Sequence, residues 1–244
     1  MIVILGSTHD DILYFESVMT NHHEETLFDI YKLQYGTIFN QDVVLVYDVY
    51  TSYVSGIITS YLLQKHFVSL CIVVGKCISN SPEVLPGDIA ITKRVILGDV
   101  DQVQEANVKL GQIPHLPRSL ESTDELINYL MQALEKRSFS RYETATFISS
   151  NAVFDKKEKY QHLVMNDFIL GHKGKIVFDC TSGGVFLAAH LNNIPVVGIK
   201  VVEKNVNEAS TVDNYINVLK QYSGVGRAVV TCIGDIGRND IMRG

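Results

Sequence analysis

The stretch KIVFDCTSGGVFLAAHLNNIPVVGIKVVEK, Lys175 to Lys204, decides the fold, because it reads without a break as strand, turn, helix, turn, strand. Ile176, Val177 and Phe178 form a short apolar run, closed by Asp179 where a polar group would face a crevice. Ser182 is placed to cap a helix in which Val185, Phe186, Ala188, Ala189 and Leu191 recur at helical spacing. Asn192 and Asn193 stop that helix before Pro195, and Pro195 to Val202 is again apolar. Two continuous apolar strands joined by a helix predict a βαβ unit in a largely parallel sheet covered on both faces. Ligands of such sheets sit beyond the carboxyl ends of the strands. The expected crevice therefore has Asp179 to Ser182 at one end and Lys200 to Asn205 at the other.

Composition bounds the rest. A chain of 244 residues, 46% of them hydrophobic, can bury a full core, and one α/β domain over 1–244 is expected. A formal net charge of −6 with no dense Lys/Arg run argues against a nucleic-acid partner and for a small ligand or a protein. Cys71, Cys77, Cys180 and Cys232 make no CxxC pair and no zinc-site spacing, so unpaired core thiols in a reducing cytoplasm are expected, with no metal or other cofactor. The chain runs from Met1 straight into an apolar strand and has no 18-residue apolar segment, so no membrane partner is expected.

In chain order, Ile2 to Leu5 reads as a buried strand ended by Gly6, followed by an acidic helix start and a helix from Asp11 to Met19. Thr20 to Glu25 reads as a polar connection, and Leu27 to Gln34 and Val43 to Tyr47 as a hairpin decorating the sheet. A helix over Tyr53 to His66 precedes a strand over Leu70 to Val74 that ends at Gly75. Gly87 to Leu97 is a further strand, and Gly98 to Ser122 a long loop of the kind that carries function. Thr123 caps an amphipathic helix to Lys136, a strand covers Ala145 to Ser149, a helix Lys156 to Met165, and Thr211 caps the last helix.

The order of these pieces resembles the purine nucleoside phosphorylase and nucleosidase superfamily, most closely the 5′-methylthioadenosine/S-adenosylhomocysteine nucleosidases, over nearly the whole chain. The matching segments are MIVILGSTHDD (1–11), PGDIAITKRV (86–95), GDVDQV (98–103), GQIPHLP (111–117), FISSNAVF (147–154), KIVFDCTS (175–182), NIPVVGIKVVEKN (193–205) and TVDNYINVL (211–219). The resemblance implies a three-layer αβα fold with a mixed, twisted sheet, a nucleoside ligand, and a homodimer in which the 98–122 loop reaches the neighbouring subunit. It also implies cleavage of an N-ribosidic bond through an oxocarbenium-like sugar, which needs an acid for the departing base and a carboxylate to activate water.

Carried over by position, the resemblance puts Asp11 at the water-activating acid, one methylene shorter than the family's glutamate. Thr181 stands at the ribose-binding glutamate, beside Asp179 and Cys180, and Val153 and Phe154 lie where the base packs. Lys204 stands at the aspartate that protonates the purine, with Glu203 one residue before it. A lysine donates a proton there only if burial lowers its pKa by several units, so Glu203 is the candidate acid after a one-residue shift. Gly75-Lys76-Cys77-Ile78-Ser79 replaces a small-residue turn and fills ligand space. Two functions follow: a divergent nucleosidase using Asp11 and Glu203, or a pseudoenzyme that binds a nucleoside-like ligand or a protein without chemistry. Beside these stand local readings: Asp11 as a helix-dipole acid, Glu203 and Lys204 as a solvated pair, Cys77 and Cys180 as core thiols.

Overall fold

The computed structural model describes residues 1–137, 139, 141–161, 163, 174–207 and 212–239. The chain starts with β1 (Ile2–Leu5), whose alternate side chains divide between two cores: Ile2 and Ile4 on one face, Val3 and Leu5 on the other. That period-two division identifies a strand buried on both sides. On the first face lie Phe15 of α1 (Leu13–Val18), Leu126, Ile127, Leu130 and Leu134 of α4 (Asp124–Glu135), and Val218, Val225, Val229 and Ile233 of α6 (Val212–Asn239). On the second lie Ile58 and Leu62 of α2 (Ser52–Lys65) and Val185, Phe186 and Ala189 of α5 (Ser182–Leu191). The architecture is thus three layers, helices over both faces of one mixed sheet, as expected.

The remaining described strands are β2 (Thr20–Leu27), β3 (Tyr31–Ile38), β4 (Gln41–Val46), β5 (Leu70–Ser79), β6 (Ile89–Leu97), β7 (Ser119–Glu121), β8 (Tyr142–Ser149), β9 (Ile176–Asp179) and β10 (Val196–Asn205). They run β10-β6-β8-β9-β5-β1-β4-β3-β2, with β7 on β6 and a further pairing of β10 to β5. That last pairing closes β5, β10, β6, β8 and β9 on themselves, a closure that the right-handed twist of strands favours. β9 and β10 share the sheet without pairing: β9 is parallel to β8 and antiparallel to β5, and β10 is parallel to β5 and antiparallel to β6. The parallel βαβ unit expected from the sequence is corrected here, because β9 and β10 run antiparallel to each other, with β5 between them on one side and β6 and β8 on the other.

Five further expectations shift. The polar connection expected over 20–25 belongs to edge strand β2, exposed along most of its length, and the strand expected from Leu27 starts only at Tyr31, after a turn over 28–30 with Phe28 and Asp29 at positive φ. β4 is no decoration, since it pairs in parallel with β1. The strand at Leu70 continues five residues past Val74, held by β10 along its length. The 98–122 segment is not structureless: it carries α3 (Val103–Ala106) and β7. Of the helix expected over 156–165 a 3₁₀ turn at Lys157–Tyr160 is present, while 162, 164 and 165, like the cap at 211, lie outside the described residues.

β5 positions the site. Its first half pairs with β1 through Val73, and its end pairs with β9 from Ile78, so the sheet parts between them. Crevices of α/β sheets form where neighbouring strands diverge at their carboxyl ends.

Candidate functional site

A cavity of about 250 Å³ opens at this parting, lined by Ser7, Tyr50, Lys76, Cys77, Ile78, Val153, Phe154, Phe178, Asp179, Cys180 and Glu203. These come from the ends of β1, β4, β8 and β9 and from the extended ends of β5 and β10. Its size falls just under the roughly 300–1,000 Å³ usual for small-molecule sites, and Lys76 and Ile78 are among the walls that narrow it.

Beneath one wall runs a buried polar network. Lys200 is 0% exposed, and its Nζ donates to Asp179 Oδ2 at 2.6 Å and to Thr181 Oγ1 at 2.7 Å. Asp179 Oδ2 also accepts from the Ser182 amide at 2.9 Å and the Ser182 hydroxyl at 2.5 Å. Burial pushes the Asp179 carboxyl up, but the Lys200 charge and these donors outweigh it and hold it below the ordinary carboxylate value. The two ends of the crevice foreseen from the sequence therefore meet in an ion pair. Sequence reasoning did not single out Lys200, although its signal is plain: a cation inside the apolar run VVGIKVV needs a counter-charge. Thr181, rather than Ser182, is the N-cap residue of α5, and its hydroxyl lies 3.5 Å from that of Ser7. Two serines of α2 anchor the turn from behind: Ser52 Oγ donates to the Cys180 carbonyl at 3.1 Å and Ser55 Oγ to that of Thr181 at 2.7 Å.

Asp11 closes a 3₁₀ turn, His9–Asp11, and is buried. Its Oδ2 accepts from the Thr8 amide at 2.8 Å, while Oδ1 has no hydrogen-bond partner among the described residues. Desolvation raises its pKa; the Thr8 hydrogen bonds and the charges of Lys200 and Lys76 offset part of that rise. Gly75 lets it fit: φ is +128°, and a Cβ there would stand 2.9 Å from Asp11 Oδ2.

Glu203 and Lys204 are separated by a bulge. Val202 registers with Cys77 and Lys204 with Ile78, so Glu203 is the extra residue of β10. Glu203 lines the cavity, with Oε1 3.7 Å from Lys76 Nζ. Lys204 is half-buried and outside the lining. Val153 is an exposed rim residue; Phe154 is buried, with its ring edge-on to Phe178 at 5.2 Å. Cys180 lines the cavity with its thiol pushed up to about 11 by burial, and burial also raises Cys77, so neither is set up as a nucleophile. His9 stacks on Tyr47 and pairs with Glu16 at 2.9 Å, away from the cavity lining. The motif acids of the flanking strands are structural: Asp88 binds Arg141 at 2.7 Å, and Asp99 Oδ2 accepts both Asn151 nitrogens, tying the 98–122 segment to the turn after β8. Among the described residues no group of three His, Cys, Asp or Glu is placed to hold a metal, and no helix is long and apolar enough to cross a membrane.

Fold and site together define an α/β protein with a small-molecule crevice at the carboxyl ends of a partly closed mixed sheet. The chain belongs to the phosphorylase superfamily, whose family model matches residues 1–231. Among curated relatives, a 5′-methylthioadenosine/S-adenosylhomocysteine nucleosidase from Listeria welshimeri is 23% identical over 235 residues, covering 94% of this chain and 95% of its own. One of the same name from Staphylococcus haemolyticus is 25% identical over 140 residues, 57% of this chain, and the match spans only 60% of that relative's length. Of solved structures, the nucleosidase of that name from Neisseria meningitidis, in complex with methylthio-immucillin-A, superposes with a TM-score of 0.83 at 16% identity, covering 96% of this chain and 98% of its own. Futalosine hydrolase of Helicobacter pylori gives 0.81 at 15% identity, covering 96% and 97%.

Proposed function

We propose that this chain hydrolyses the N-ribosidic bond of a purine nucleoside of the type named for its relatives, methylthioadenosine or S-adenosylhomocysteine. The observation that carries the reading is the bulge at Glu203, which turns a carboxylate into the cavity where strict alternation would have set Lys204 in step with Val202. Asp11 supplies the second carboxylate, and its desolvation makes it a better proton acceptor than an exposed aspartate. In the reaction a proton of water passes to Asp11 and the water oxygen bonds to the anomeric carbon. The carbon–nitrogen bond breaks with its electron pair on the purine, and Glu203 protonates the departing base. The end of β9 at Asp179 and Cys180 borders the sugar, with the side chains of Asp179 and Thr181 held behind it by Lys200; Val153, Phe154 and Phe178 flank the base.

A second reading, binding without turnover, draws on the 3.7 Å contact between Glu203 and Lys76, which occupies the acid with a cation in place of a leaving base. Chromatography of the purified protein with methylthioadenosine and with inosine, with and without phosphate, separates the two. Free base released without phosphate is expected, and Glu203→Gln is expected to cut kcat by roughly 10²–10⁴-fold. Ligand binding by calorimetry with no base released would favour the second reading. Turnover that survives both Asp11→Asn and Glu203→Gln would overturn the assignment of the carboxylates.

A further inference from the structure

α6 brings a phenol to the edge of this site that no sequence motif marks. Tyr222 packs among the apolar residues of the first core face, yet its Oη is buried and has no hydrogen-bond partner among the described residues. Its surroundings fix where it sits. The ammonium of Lys76 lies 5.7 Å from the centre of its ring, and the same ammonium is 3.7 Å from Glu203. Lys76 follows Gly75, the residue against which Asp11 Oδ2 rests, and α6 packs directly on the turn that carries Asp11. Burial, and next the charge of Asp11, raise the phenol's pKa, so it stands as a neutral O–H donor.

Two buried polar atoms, Asp11 Oδ1 and Tyr222 Oη, thus sit on elements that pack together just behind the cavity lining, and like Thr8 Oγ1 neither has a hydrogen-bond partner among the described residues. Buried polar atoms are normally paired, and a small hydroxylic molecule is the usual third party. We infer that Tyr222 is a positioning residue for the nucleophile: with the free oxygen of Asp11 it holds the water molecule that Asp11 deprotonates. The phenol donates to the water oxygen and the water donates to Asp11, which aims a lone pair at the sugar; no bond to Tyr222 forms or breaks. The groups facing Asp11 are Thr8 from its own turn, Tyr50 from the segment after β4, Lys76 from β5, Lys200 from β10 and Tyr222 from α6; those facing Tyr222 are Asp10, Asp11, Cys77, Lys76 and Glu203. The inference rests on the hydrolytic reading above.

Tyr222→Phe keeps the ring beneath Lys76 and removes only the hydroxyl. The expected result is a fall in kcat of about tenfold with KM for methylthioadenosine changed less than twofold. The midpoint of the Asp11 carboxyl, followed by ¹³C NMR, should rise together with the acidic limb of the kcat profile, because the anion loses a donor held through water. A fall in kcat with an unmoved midpoint would assign the loss to packing and overturn the inference, as would an unchanged kcat in an active enzyme. If the wild-type protein releases no base, the hydrolytic reading has failed by itself. The Asp11 titration then decides alone: a raised midpoint in Tyr222→Phe supports the shared hydroxylic site, and an unmoved one overturns it.

Discussion

Lys200 and Asp179 share a hydrogen bond with both side chains fully enclosed, which makes them the most consequential pair of residues in the molecule. Removing one charge from a buried pair strands the other, at about 3–5 kcal/mol, whereas replacing both by apolar groups of similar volume is often neutral or better. Lys200→Met is therefore expected to lower the unfolding free energy by about 3–5 kcal/mol, and Lys200→Met with Asp179→Leu to recover most of it, as read by denaturant melts. The pH dependence has a definite sign. Asp179 has its folded pKa depressed below the ordinary 3.8, so its contribution is full above that value and is lost as pH falls through the depressed one. Wild type should lose stability over that acid window and the double variant should lose less. Equal acid slopes in the two proteins would contradict the pairing.

At the scale of elements, the crossing of α2 and α5 holds the site turn in place. Gly56 and Gly184 face each other there, and a Cβ on Gly184 would run into the Ser52 carbonyl and the Gly56 amide. Those are backbone atoms, so nothing flexible can give way. Gly184→Ala is expected to cost about 1–3 kcal/mol by overpacking. It should also push α2 outward and loosen the hydrogen bonds from Ser52 and Ser55 to the Cys180 and Thr181 carbonyls. Thermal unfolding together with ligand affinity checks this; a variant as stable as wild type would show that the helices separate without cost. The bulge in β10 belongs to the same scale, because it re-aims one side chain while leaving the pairing with β5 intact on either side.

For the whole molecule, an exposed apolar face beside the cavity bears on assembly. Tyr53, Ile57 and Leu191 are 70%, 58% and 59% exposed around a groove of about 510 Å³ between α2 and α5. Tyr50, 61% exposed, carries the face to the cavity's edge. Contiguous apolar surface of this kind marks interaction sites, and the homodimer implied by the family resemblance is the occupant proposed. Light scattering is expected to give twice the mass of one chain, 27.3 kDa, and Ile57→Glu with Leu191→Glu to give single chains. Dimers unaffected by that pair of charges would move the interface elsewhere, with the 98–122 segment next to test.

Periodicity alone determined much of this protein. The continuous apolar run of β1, the 3.6-residue spacing of α4 and α5, and the apolar run after Pro195 are local records of which faces are buried, and each became the element it predicted. The ordered motifs carried the family, and with it the general location of the site at the strand ends. Only the tertiary structure decided which strands pair. β9 and β10 read as the two strands of a parallel βαβ unit, but they run antiparallel, with partners set by twist accumulated around five strands, which no local pattern records. The same holds inside the site. Asp179 and Lys200 are 21 residues apart and meet only because the sheet closes. The bulge that selects Glu203 over Lys204 was invisible in a run of two adjacent polar residues, since either phase of a two-residue repeat would fit it. Tyr222 falls at an apolar spacing of its helix, and only the docking of α6 against the turn of Asp11 brought its hydroxyl within electrostatic reach of that carboxylate.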